Sequence, residues 1–139
     1  LKVRDSGKLD LAKPLVSYVP GLFENEAARA VTAAHVLSHS SGFPNWRFEV
    51  GQQLTPAFAP GERFQYSGEG FVALGRVLEE LTGKSLEGLV QELVLQPLGM
   101  TSSSFVVNPA LQPRMAQGHN RRGVGNERKI AATMLEIAA

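Results

Sequence analysis

Hydroxyls close to imidazole or amine groups are the raw material of acyl transfer. This chain groups hydroxyls in four short runs, Ser6-Gly7-Lys8, His39-Ser40-Ser41, Tyr66-Ser67 and Ser102-Ser103-Ser104, of which the first two include an amine or imidazole. A serine becomes a nucleophile only beside a base, and the base needs a third group to orient it. In the first run the serine and lysine are two positions apart, which would put them on different faces of a helix. In the second, His39 abuts Ser40, but sequence neighbours rarely aim at each other and no orienting group is identifiable. His39 therefore reads as structural rather than catalytic. The triple serine has no base in sequence reach and suits turn and capping chemistry. Tyr66 and Ser67 differ from the rest because they stand where an extended segment becomes a helix. Hydroxyls at such a junction can be held rigidly and still face a cleft.

The element that must position them is Pro60–Thr82, PGERFQYSGEGFVALGRVLEELT. Pro60-Gly61 makes a turn and Arg63–Tyr66 an extended piece. Ser67 and Gly68 then open a helix whose apolar positions Phe71, Leu74, Leu78 and Leu81 recur at three- and four-residue steps. Arg76, Glu79 and Glu80 take the other face, and Gly83 closes the helix in a left-handed conformation. Ser85 caps a second helix carrying Leu86, Leu89, Val90, Leu93 and Val94, ended by Pro97; the short link predicts an antiparallel hairpin from Ser67 to Leu95.

Upstream, Asp10 caps a brief helix with Leu11, Leu15 and Val16 apolar, stopped by Pro20-Gly21. Glu24–Ala30 reads as a loop or frayed turn. Thr32 caps a helix through Ser38 that buries Val36 and Leu37, and Gly42 supplies a left-handed turn residue. Phe43–Phe58 has no clean period and is read as irregular chain. Within it Trp46 either lines a half-wet cleft or is a partly buried packing residue; both readings stand. Downstream, Phe105-Val106-Val107 is β-prone, His119 reads as a surface histidine, and 124–139 is an unassigned C-terminal helix with Ile130, Met134, Leu135 and Ile137 apolar.

Composition bounds what the molecule can be. With 139 residues the chain suffices for one small domain, 1–139, and 43% apolar content argues against disorder. A net charge of +1 and a pI near 8.3 give no electrostatic reason to expect nucleic acid. Zero cysteines exclude disulfides and thiolate metal sites, and no metal or cofactor is expected. No apolar run is long enough to span a membrane, and no signal peptide is expected in these residues. The compartment is left open between bacterial cytoplasm and periplasm. An opening of LKVRDSGK without an initiator Met reads as cut from something longer.

Three segments together resemble the serine β-lactamase-like family of class C β-lactamases, penicillin-binding proteins, D,D-peptidases and esterases. They are PGERFQYSG (60–68), LSHSSGFP (37–44) and QPLGMTSSSF (96–105). The resemblance runs from about Ser6 to Gly123 in family order. It implies a mainly α chain: the helical subdomain of the β-lactamase/transpeptidase-like fold, with short helices, long irregular loops and little strand. It implies acyl-enzyme chemistry on an ester, amide or β-lactam, with Tyr66 as the general acid/base residue of a Y-x-N motif. Ser67, Gly68 and Trp46 become candidate substrate contacts.

Two of the family's elements are missing from these 139 residues. Its nucleophile lies in an S-x-x-K motif, the lysine one helical turn after the serine, and none is present. Nor is there K-T-G or H-x-G, whose strand contributes to the oxyanion site. Gly68 also replaces the motif's Asn, which a Y-S-G-E-G esterase-like branch shares. On residue chemistry alone Tyr66 reads as a half-buried aromatic with a satisfied hydroxyl; the surrounding motifs favour the catalytic role. The expectation is a part of a serine hydrolase whose nucleophile lies elsewhere. The alternative is a non-catalytic binding or partner-assembly module. An exposed apolar face would accommodate self-association or a partner chain.

Overall fold

The computed structural model describes residues 1–47, 52–106, 109–116, 118–123 and 125. The expected helix over 124–139 therefore lies outside the described residues except for Gly125, and so does Val107 of the β-prone stretch. The chain divides into two units, Leu1–Leu86 and Glu87–Ala139.

In the first unit, α1 spans Lys2–Asp5, α2 Ala33–Leu37 and α3 Gly68–Thr82. Single 3-10 turns cover Leu15–Ser17 and Glu26–Ala30. The expected helix after Asp10 is reduced to the first of these. Asp10 caps no helix but accepts the Ala12 N–H at 2.9 Å, closing a turn. The α2 cap is as expected: the Thr32 hydroxyl accepts the His35 N–H, and His35 Nδ1 accepts the Thr32 N–H in return. Val36 is buried but Leu37 is exposed, because a five-residue helix has only one face against the core.

That core is Leu15, Phe23, Val31, Val36, Phe43 and Val77, with the Phe23 and Phe43 rings 5.2 Å apart. Full burial of a ring such as Phe43 is worth about 2–3 kcal/mol. Helix α3 buries Gly70, Ala73, Leu74 and Val77. Phe71, expected on the buried stripe, is exposed. The close approach of α2 at Gly70 explains the rotation: a Cβ on Gly70 would lie 3.5 Å from Val36 and 3.4 Å from the Ser41 hydroxyl, so the small residues face inward.

The second unit opens on α4, Leu86–Val90, of which it holds Glu87 onward, and this helix runs directly into one π-helical turn over Gln91–Leu95. Leu89 and Leu95 are buried, and Gln112–Arg114 form a further 3-10 turn.

The expectation of a mainly α chain is corrected by these observations. Helices account for 38% of the described residues, with almost no strand, so turns and irregular chain make up most of the backbone. The reason lies in 38–47 and 52–67, where Pro44, Pro56 and Pro60 interrupt regular structure. There the backbone groups pair loop to loop: Ala57 N–H with Gly42 O at 2.8 Å, Gly61 N–H with Ser40 O at 2.8 Å, and Gln65 N–H with His39 O at 2.7 Å. Polar backbone satisfied in this way needs neither helix nor sheet. Among the described residues, strand pairing is limited to the isolated bridges Pro14–Thr32 and His119–Gly125. No helix among them is long and apolar enough to cross a membrane.

Candidate active site

The junction at Tyr66–Gly68 is built by the N-terminus of α3 meeting the loop that leaves α2. Ser67 is the N-cap of α3, its hydroxyl accepting the Gly70 N–H at 2.9 Å and donating to Pro44 O at 2.9 Å. Only 2% of Ser67 is exposed, so this hydroxyl is fully engaged beneath the surface. The Ser67 N–H donates to His39 Nδ1 at 3.2 Å, and the Gly68 N–H to Asn45 Oδ1 at 3.1 Å. Three orphan amides of the helix start and its cap thus find acceptors in residues 39–45 or in the cap itself.

Position 68 has no room for a side chain. An added Cβ would come within 2.8 Å of Asn45 O, 3.1 Å of Asn45 Oδ1 and 3.3 Å of the Trp46 ring. The loop occupies the space an asparagine at 68 would take. Gly42 is constrained similarly, with φ 78° and a virtual Cβ 2.6 Å from Phe58 O, a left-handed position that glycine alone fills without strain.

Glu69 fastens the loop to the helix. It is buried, and its carboxylate accepts the Arg47 N–H at 3.0 Å and Arg47 Nε at 2.9 Å, while Arg47 Nη1 donates to Gln52 O. A buried carboxylate is tolerable only when paired in this way, and its place in the first turn also suits the helix dipole.

Above this base stands Tyr66, 59% exposed. Its ring stacks on His39 with centroids 4.5 Å apart and planes at 28°. His39 also meets Phe64 edge-on at 5.7 Å and Phe71 at 5.1 Å. It is the only described non-glycine residue with positive φ, 53°; a histidine held there is over-determined by its surroundings. Trp46, 41% exposed, lies against Gly68. Tyr66 and Trp46 are thus both partly exposed residues at the start of α3, whereas Ser67 is covered and Gly68 offers only backbone.

Three further serines of the candidate runs are engaged in hydrogen bonds. Ser41 is fully buried and accepts the Phe43 N–H, and Ser40 bonds Ser38 Oγ at 2.8 Å. In the second unit, Ser104 Oγ donates to Glu87 Oε1 at 2.9 Å. Among the described residues no group of three or more His, Cys, Asp or Glu could hold a metal. Sequence reasoning missed Asn45, Arg47 and Glu69. An acid in a helix's first turn carries a signal, but the arginine 22 positions earlier carries none.

A family model described as Beta-lactamase matches residues 1–136. Penicillin-binding protein 4 of Amycolatopsis lactamdurans is 29% identical over 139 residues, covering 86% of this chain and 35% of that protein. Esterase EstB of Burkholderia gladioli is 29% identical over 136 residues, covering 76% and 34%. A solved class C beta-lactamase superposes with a TM-score of 0.77 at 26% identity, over 90% of this chain and 37% of that one. The chain therefore spans about a third of the length of the curated relatives it matches.

Proposed function

Because this chain belongs to the Beta-lactamase family, we propose that it carries the general acid/base tyrosine, Tyr66, of a serine hydrolase. That enzyme forms an acyl-enzyme on an ester, amide or β-lactam. The observation that carries this reading is the contrast at 66–67. The Tyr66 side chain is exposed, with its ring seated on His39, while the Ser67 hydroxyl is spent in capping. A phenol so held can pass a proton between nucleophile and leaving group. Ser67, unable to reach solvent, works as the support of that phenol. Trp46 borders the substrate, and Gly68 keeps its backbone close to the loop.

The nucleophile comes from outside these residues, since the sequence has no S-x-x-K and the hydroxyls of the buried serines Ser41 and Ser67 are engaged with backbone groups. Names among the relatives span penicillin-binding protein, esterase and beta-lactamase, which supports an acyl substrate without choosing its class. The exposed rings of Phe64, Tyr66 and Phe71 around His39 support a further expectation, that another segment or chain covers this face.

The test is Tyr66→Phe in the longer protein that contains these residues. Turnover of a p-nitrophenyl ester and a chromogenic cephalosporin should fall about 100-fold or more, with unfolding unchanged. Equal turnover of whichever substrate the parent accepts would refute the assignment.

A further inference from the structure

His39 holds three consecutive residues, Gln65, Tyr66 and Ser67, by three different means. Its carbonyl accepts the Gln65 N–H at 2.7 Å, its ring face stacks on Tyr66 at 4.5 Å, and its Nδ1 accepts the Ser67 N–H at 3.2 Å. A backbone N–H can only donate, so Nδ1 carries the lone pair and the neutral ring has its proton on Nε2. Protonating Nδ1 would set two donors against each other. It would also place a cation at the positive end of α3, where the helix dipole disfavours it. The ring on which Tyr66 rests would then lose its anchor.

From this geometry we propose that His39 is a positioning residue for Tyr66. Neutral, it fixes the exposed phenol at the start of α3; protonated, it releases it. The inference rests on the reading of Tyr66 given above, and makes the tyrosine's placement depend on pH through a group that never touches substrate.

The other charged groups on the surrounding elements are engaged elsewhere. Arg63 pairs with Glu62 at 2.9 Å and lies over the Phe58 ring, and Glu69 pairs with Arg47. His35 accepts the Thr32 N–H. On α3, Arg76, Glu79 and Glu80 come more than a turn after Phe71. Tyr66 is the one other titratable ring in contact with His39 among the described residues.

The test is NMR of the isotopically labelled whole chain between about pH 5 and 8, the range in which histidines change charge. Long-range imidazole spectra should show the Nε2-protonated tautomer at high pH. The Ser67 amide and the Tyr66 ring resonances should shift with the same midpoint as His39. In His39→Asn, a residue that tolerates positive φ and brings a carboxamide oxygen near the Nδ1 position, the Ser67 amide should stay at its high-pH position throughout. An Nδ1-protonated tautomer would overturn the proposal, as would a Ser67 amide indifferent to His39 titration. Both of those readouts come from the unsubstituted chain, so neither depends on the variant folding. In the longer active protein, His39→Asn should flatten the acid limb of kcat. If the NMR outcome holds and that limb is unchanged, it is the role of Tyr66 that fails, and Tyr66→Phe distinguishes the two.

Discussion

Two carboxylates, each near the start of a helix, solve the same problem in opposite ways. Glu69, in the first unit, is buried and meets a guanidinium as well as a backbone amide. Glu87, in the second, is only half-buried and meets no cation among the described residues. It accepts instead from Gln91 Nε2 at 2.7 Å, Ser104 Oγ at 2.9 Å and the Phe105 N–H at 2.6 Å. Burial acts to raise the Glu87 carboxyl, but the hydrogen bonds from Gln91, Phe105 and Ser104 outweigh it and hold the group below its ordinary value of 4.5. A charged partner in a dry place makes the loop at 44–47 expensive to detach. Neutral donors near solvent make the Ser104–Phe105 clasp cheap to open. The firm fastening is the one beneath Tyr66.

The comparison breaks most visibly at Arg47. Replacing it with methionine leaves Glu69 buried and unpaired, and should cost about 3 kcal/mol in urea unfolding. A loss below about 0.5 kcal/mol, on the order of a surface change, would place Glu69 with Glu87. Next comes Gly42→Ala, expected to cost about 2 kcal/mol because the new methyl meets Phe58 O at 2.6 Å on a left-handed backbone. Ser67→Ala removes the α3 cap and should cost about 1 kcal/mol.

Glu87→Gln should be the mildest, under about 1 kcal/mol, and it sharpens the contrast through pH. A carboxyl held below its unfolded value stabilises the fold above that value and loses the effect as pH falls through its folded one. Exchange protection of the Phe105 amide should therefore fall on acidification below about pH 4.5 in the parent chain. In the glutamine variant it should be flat.

How far the sequence spoke follows the same division. Local signals were legible: Thr32 and Ser67 as caps, Gly83 as the left-handed end of α3, Gly42 as a turn residue. Each depends on one residue and its immediate neighbours. The helical face was misread because Phe71 satisfies the apolar period, while inward packing is set by how closely α2 approaches Gly70. The mainly α expectation fails because 39–42 pair their backbone with 57–65 across loops, which no period announces. The role proposed for Tyr66 rests on its motif, and Trp46 keeps both of its readings. Asn45 and the Arg47–Glu69 pair were invisible, since a contact spanning 22 residues leaves no mark in local pattern. The absence of a side chain at 68 was visible as a departure from the motif; only the loop geometry supplies its cause.

The central claim is that Tyr66 serves a nucleophile these residues do not contain. Intact-protein mass spectrometry of the 139-residue chain after incubation with a fluorophosphonate tests it most directly. The account predicts no adduct, with Ser40, Ser41 and Ser67 all occupied in hydrogen bonds. A single stoichiometric adduct, mapped to any of those three, would contradict it.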